Sequence, residues 1–238
     1  VRRRLHGDIA YYNINRHLNY SNICALSCKF CSFYRKKKDE SGAYEHSLED
    51  IRAEAIRAAE SGATEIHILG GLHPWLPFDY YTDMMRVIRD AAPQLHIKAF
   101  TAVEIVHLAR ISKRGREGYE GIKSVLRDLI NAGLGSLPGR GAEVFDDRVH
   151  DEAYKGKIRA GTWLDVHRIA HEIGLNSNAT MLYGHVEQRA ERINHMLVLR
   201  EAQDAAIARG ESSARFQTII PLPFFPDDSE LDHLPAPT

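Results

Sequence analysis

Cys24, Cys28 and Cys31 fall within one eight-residue stretch, and the chain has no other cysteine. Thiolates crowded in this way bind zinc or iron–sulfur clusters. A structural zinc site is closed and tetrahedral, so it needs a fourth ligand. The loop offers no histidine; His17 precedes it and His46 follows at a distance. A cubane cluster on three cysteines would instead keep one iron open to a substrate or cofactor. The spacing Cys24-x-x-x-Cys28-x-x-Cys31, with aromatic Phe30 before the last cysteine, leaves both metals open at this point. Three thiols make no paired disulfide framework, and their crowding points to a reducing compartment. A cytoplasmic protein is expected.

The elements that position this loop alternate strand with helix. Strands are expected over 9–22, running into the cysteine loop, and over 64–69, 95–104, 175–185 and 215–225, with a strand or turn at 134–139. Helices are expected over 48–61, 79–92, 118–133, 163–173 and 190–208. Ser47 with Asp50, and Thr162 with Asp165, have the spacing of capping boxes, and Gly62 and Gly174 stand where helices stop. Residues 104–117 show no regular pattern. About six βα units in series favour an α/β fold of the (β/α) barrel type, partial or complete, over a doubly wound sheet. In such barrels the loops after strand ends build the site. The cysteine loop, Gly70-Gly71, Glu104, Arg140 and His185 would share one rim.

Composition narrows the class. Lys plus Arg is 31 against 32 for Asp plus Glu, so no global field draws nucleic acid or an anionic membrane. The run at 35–40, RKKKDE, reads as a solvated loop. No apolar run reaches the length of a membrane span. With 44% hydrophobic residues over 238 positions, one sizeable core is affordable. Val1 is not a usual start residue, and the other end stops in a Pro-rich stretch. One core domain over 1–238, cut at both ends, is therefore expected.

With loop, spacing, aromatic and βα context in agreement, the chain resembles the radical S-adenosylmethionine enzymes. The resemblance implies a [4Fe–4S] cluster on Cys24, Cys28 and Cys31, with S-adenosylmethionine on the open iron. It also implies an electron donor that reduces the cluster. Phe30 belongs to the cysteine motif. Gly70 and Gly71 match the family's glycine-rich element, whose backbone meets the methionine amino group. Glu104, at the end of the third expected strand, would bind ribose hydroxyls. Asn178 would face the barrel interior and meet the cofactor. His167 and His171, one helical turn apart, read as the exposed polar edge of an outer helix.

Longer strings, among them NRHLNYSNICALSCKFCSFYR, GLGSLPGRGAEVF and SNATMLYGHVE, resemble the aminodeoxyfutalosine-forming branch of that family, which serves menaquinone biosynthesis. The chain differs from that branch at Arg140, where a third glycine is expected, and in the string FFPDDSE. The branch implies a small aromatic carboxylate, 3-[(1-carboxyvinyl)oxy]benzoate, as substrate and S-adenosylmethionine as a consumed cosubstrate. Arg140 and His185 are the candidate catalytic partners of that acid. The sibling cyclase of the pathway and the deazaflavin-chromophore enzymes share these motifs, and a zinc-stapled or electron-transfer protein is the reading of another class. Metal analysis separates the classes: iron and inorganic sulfide near four each per chain are expected, and zinc without sulfide would reject the cluster.

Overall fold

Strands β1 (Asn15–Leu18), β2 (Glu65–Ile68) and β3 (His96–Ala99) pair in parallel in that order. Strand β4 (Ser177–Tyr183) pairs in parallel with β5 (Phe216–Pro223). Two parallel bridges, Lys98 to Ser136 and Leu137 to Ser177, join the two groups. Within each group the strands follow chain order, and Ser136 and Leu137 stand between β3 and β4. Helix α1 (Arg2–His6) precedes β1. Helices α2 (Leu48–Glu60) and α3 (Phe78–Ala91) follow β1 and β2, and α4 (Ala102–Ile111) and α5 (Tyr119–Ala132) follow β3. Helices α6 (Asp147–Ala153) and α7 (Ala160–Glu172) lead to β4, and α8 (Arg189–Ile207) leads to β5. The architecture is a partial (β/α) barrel, as the alternation predicted. The computed structural model describes residues 2–210 and 213–237; Val1 and Thr238, the ends of the expected core, lie outside the described residues.

Helix periodicity explains the packing. Ile51, Ala55 and Ala58 of α2 share one buried stripe, as do Met84, Met85 and Ile88 of α3. They meet Leu18, Ile66, Ile68, Ile97 and Ala99, the outward-facing strand residues, in one continuous core. Each leucine, isoleucine or methionine among them contributes about 1.5–3 kcal/mol on full burial, and each alanine about 1 kcal/mol or less. The Ser47–Asp50 capping box forms as expected. Gly62 and Gly174 both adopt positive φ just past helix ends. No helix among the described residues is long and apolar enough to cross a membrane.

Four expectations fail for identifiable reasons. The first strand is short, four residues instead of the span 9–22. The third strand stops at Ala99 because Phe100 turns into the left-handed region at φ 63°, and Thr101 at once caps α4. Glu104 is therefore the third residue of a helix and not a strand end, and part of the irregular stretch 104–117 is helical. Thr162 and Asp165 form no cap, because α7 begins earlier at Ala160. Arg159 precedes it, pinned by Asp147 and Asp151 of α6. Finally, His167 and His171 are not exposed: both are buried on α7, and both rings lie 2.8 Å from the Ser177 hydroxyl.

Burial holds His167 well below the ordinary histidine range and His171 down to about 4. Both rings are neutral in the folded protein near pH 7. The unfolded chain takes up their protons below about pH 6.5, so this stability is present above that pH and is lost as pH falls through the folded values. For His171 the loss is about 3 kcal/mol, complete near pH 4. Thermal unfolding followed from pH 7 to pH 4 should show a steeper fall in Tm for the natural chain than for His171→Gln.

Candidate active site

The cysteine loop leaves β1 and is pinned from several sides. Cys24 N–H donates to the Arg35 carbonyl and Arg35 N–H to the Asn22 carbonyl, each at 2.8 Å. Lys36 Nζ donates to the Leu26 carbonyl at 2.6 Å. Cys31 N–H returns to the Cys28 carbonyl at 3.0 Å, closing a turn between two of the thiols. Leu72 and Leu26 direct backbone N–H groups at Cys24 Sγ, at 3.3 and 3.4 Å. Such donors stabilise a thiolate and tune a bound cluster. All three cysteines and Phe30 line one cavity of about 300 Å³.

Gly70 and Gly71 form the second wall, directly after β2. A Cβ at Gly71 would lie 2.2 Å from the Ile23 carbonyl oxygen, and one at Gly70 would lie 2.7 Å from the Tyr20 ring. The sequence suggested glycine here so that a cofactor could approach the backbone. The structure adds a stricter demand, because the cysteine loop already occupies that space. Gly71 N–H bonds the Ser21 carbonyl at 2.8 Å, and Ala25 N–H bonds the Leu72 carbonyl at 2.9 Å. The two loops are thereby held as one unit.

Glu104 reaches the same cavity from the start of α4. Its Oε2 accepts from Thr101 N–H and Oγ1, both at 2.8 Å, and its Oε1 accepts from Gly70 N–H at 3.0 Å. The Tyr20 hydroxyl lies 3.0 Å from Oε1 and 3.0 Å from the Gly71 carbonyl. Burial raises the Glu104 pKa, and these donors work against the shift. The carboxylate is thus occupied within the protein, and the geometry gives it the task of fixing Gly70 in place.

Arg140 lines the cavity opposite, beside Glu143 and Lys157, two residues the sequence reading did not single out. Lys157 Nζ pairs with Glu143 Oε1, and it sits 5.3 Å from the Phe30 ring centroid. Burial disfavours charge on both, but their mutual attraction prevails. Glu143 is held below, and Lys157 above, its ordinary value, with the Cys28 and Cys31 thiols adding to the effect on Lys157. Burial pushes the Cys28 thiol up to about 12, against the opposing pull of Lys157. No periodicity or spacing marks Lys157; only folding brings it to the cysteines.

Two expected residues stand elsewhere. The His185 side chain is fully buried, with Nε2 on the Leu182 carbonyl at 3.1 Å and Nδ1 3.5 Å from Glu187 Oε2. It is not among the residues lining the cysteine cavity, and neither is Asn178, whose backbone N–H joins β4 to Leu137. A larger groove of about 590 Å³ between α8 and β5 is apolar and holds none of the expected site residues.

The cavity fits a cluster with an open iron. Three thiols share one wall, N–H donors face a sulfur, a buried cation stands nearby, and neither His17 nor His46 lines it as a fourth ligand. The glycine contacts give a direct test. Gly71→Ala should cost about 1–3 kcal/mol by overpacking and sharply lower the iron and sulfide retained after reconstitution. Gly161→Ala, on α7 with nothing within 4 Å of the added carbon, should leave Tm and iron content unchanged or raise Tm slightly. Both are read by thermal melts and metal analysis.

A family model described as the radical SAM superfamily matches residues 18–199. An aminodeoxyfutalosine synthase of Thermus thermophilus is 39% identical over 97% of this chain and 58% of that protein. A 5-amino-6-(D-ribitylamino)uracil–L-tyrosine 4-hydroxyphenyl transferase of Archaeoglobus fulgidus is 36% identical over 97% of this chain and 62% of that protein. The chain thus spans less than two thirds of the length of either relative. Among solved structures, a methylornithine synthase shares the fold, with a TM-score of 0.71 at 14% identity, over 97% of this chain and 59% of that chain. The matched span holds the cysteine loop, the glycine pair and the buried Lys157–Glu143 pair, and the chain belongs to the radical SAM superfamily.

Proposed function

We propose that the chain carries the radical-forming core of an aminodeoxyfutalosine synthase. The observation that carries the reading is the single cavity uniting the three cysteines, the glycine turn and a buried cation, in a chain 39% identical to the Thermus synthase. When bound, a [4Fe–4S] cluster with S-adenosylmethionine supplies a 5′-deoxyadenosyl radical for addition to the vinyl carbon of 3-[(1-carboxyvinyl)oxy]benzoate, with S-adenosylmethionine consumed as cosubstrate.

The chain's own residues prepare the cavity for that chemistry. Cys24, Cys28 and Cys31 would ligate three irons. Backbone groups of Gly70 and Gly71, fixed by Glu104 and Tyr20, would meet the methionine amino group. Lys157, charged and buried, would face the methionine carboxylate while Glu143 keeps the ammonium in place. Phe30, Leu26, Leu69 and Leu72 supply apolar wall that excludes water and stray hydrogen donors. A reducing electron donor would be the partner.

A second reading follows from the 36% identity to the hydroxyphenyl transferase, which shares this chain's whole length to nearly the same extent. One assay separates the two. The protein is reconstituted anaerobically, reduced, and given S-adenosylmethionine with 3-[(1-carboxyvinyl)oxy]benzoate, or with L-tyrosine and 5-amino-6-(D-ribitylamino)uracil. Mass spectrometry should show aminodeoxyfutalosine in the first reaction and no coupled product in the second. 5′-Deoxyadenosine alone in both would reject the substrate while leaving the radical chemistry standing.

A further inference from the structure

Below the cysteine cavity, the inner wall of the barrel carries polar residues that the chemistry above does not use. Leu18, Ile66 and Ile97 face the helices. Alternation therefore turns their strand neighbours His17, His67 and Lys98 to the inner face. Register sets His17 against His67 and His67 against Lys98. The two imidazoles stack with centroids 4.7 Å apart and planes 30° apart. Two residues further along the same strands, Asn19 and Leu69 line the cysteine cavity. The histidine pair thus lies roughly 7 Å beneath that wall.

Lys98 is already engaged: Nζ pairs with Glu65 Oε2 at 2.7 Å. His67 is not, because its Nε2 is buried without a hydrogen-bond partner. Buried polar atoms are seldom left so unless a ligand or water meets them. Arg140, in the cavity wall, makes no side-chain hydrogen bond or ion pair among the described residues. Its charge nevertheless reaches both rings. Burial is the main cause that lowers His17 and brings His67 to about 3, and Arg140 adds to it in each case. Lys98 lowers His67 as well, but Glu65 meets its charge, so two neutral imidazoles and the unpaired Arg140 suit a single anionic group. They offer a proton to share without a second charge to desolvate.

We propose that Arg140 and the His17–His67 pair form the seat of a substrate carboxylate, Arg140 supplying the charge and His67 Nε2 a neutral hydrogen bond. The guanidinium fork matches a carboxylate in shape as well as sign. The seat takes over the role expected of His185, whose ring is turned to Leu182 and Glu187. Its position beneath the thiols places a bound acid within reach of whatever the cavity above holds. The assignment rests on the proposed reaction only for the identity of the natural acid.

The test is equilibrium binding to the reconstituted protein loaded with S-adenosylmethionine, with no turnover required. Three probes are used: 3-[(1-carboxyvinyl)oxy]benzoate, benzoate and benzamide. Both acids should bind, and benzamide should bind at least about tenfold more weakly than benzoate. His67→Phe and Arg140→Gln should each weaken acid binding by about tenfold or more, while the electron paramagnetic resonance signal of the cluster with S-adenosylmethionine stays unchanged in His67→Phe. Arg140 is exposed, so Arg140→Gln reports even if His67→Phe folds poorly. Acid affinities unchanged in both variants, or benzamide binding as well as benzoate, would overturn the seat. Tight benzoate binding that the variants lose, with no binding of the enol ether acid, would keep the seat and reject the proposed substrate.

Discussion

One buried carboxylate holds the rim together. Glu104 sits where the first three βα units meet, and it takes hydrogen bonds from Thr101 at the head of α4, Gly70 after β2 and Tyr20 after β1. A carboxylate buried alone would be costly, and it stays only because donors surround it. The same contacts fix the glycine turn against the cysteine loop, so the shape of the cofactor cavity follows from satisfying one side chain. Phe100 bends through a left-handed conformation one residue before Thr101, which puts Glu104 on a helix where its oxygens can reach two strand ends. Backbone strain of this kind persists where surrounding contacts over-determine it, and here the packed rings of Tyr20 and Tyr81 do so.

A second constraint is electrostatic. The Lys157–Glu143 pair is buried beside Cys28, in surroundings that disfavour either charge alone. Together they keep a cation at the thiols while adding no net charge of their own to the cavity wall. A site built to hold several anionic sulfurs needs such a cation, and one that is held rigidly tunes the metal more sharply than a solvated one.

Local chemistry was readable from the sequence, and orientation was not. The cysteine spacing, the Gly70-Gly71 pair, the Ser47 cap and the strand–helix alternation all express backbone geometry or ligand reach, which nearby residues determine. Thr101 and Glu104 also have capping-box spacing, but the β-rich run before them hid it; the break at Phe100 depends on packing with Tyr20 and Tyr81. Thr162 and Asp165 misled in the opposite direction, because α7 begins at Ala160 and both already lie inside the helix. His167 and His171 looked like a polar edge until Ser177, on the next strand, supplied both with a partner. His185 stands after its strand as expected, yet its ring turns to Leu182. Lys157 gave no signal at all, since the thiols it faces lie more than a hundred positions earlier and its partner Glu143 stands at no recognisable spacing from it.

The sequential strand order also sets a timetable. Strands β1, β2 and β3 pair in chain order, so the first three units and Glu104 can assemble before the rest of the chain exists. Lys157 follows Glu104 by about fifty residues, which at ordinary synthesis rates is a delay of roughly 3–10 s. During that interval the nascent chain presents the cysteine loop and glycine turn without the buried Lys157 beside Cys28 and without the Lys29 N–H anchor to the Ala153 carbonyl. The ligand loop is thus shaped first and walled in last, and metal delivery to a ribosome-bound chain would meet an open, half-built nest rather than the finished cavity.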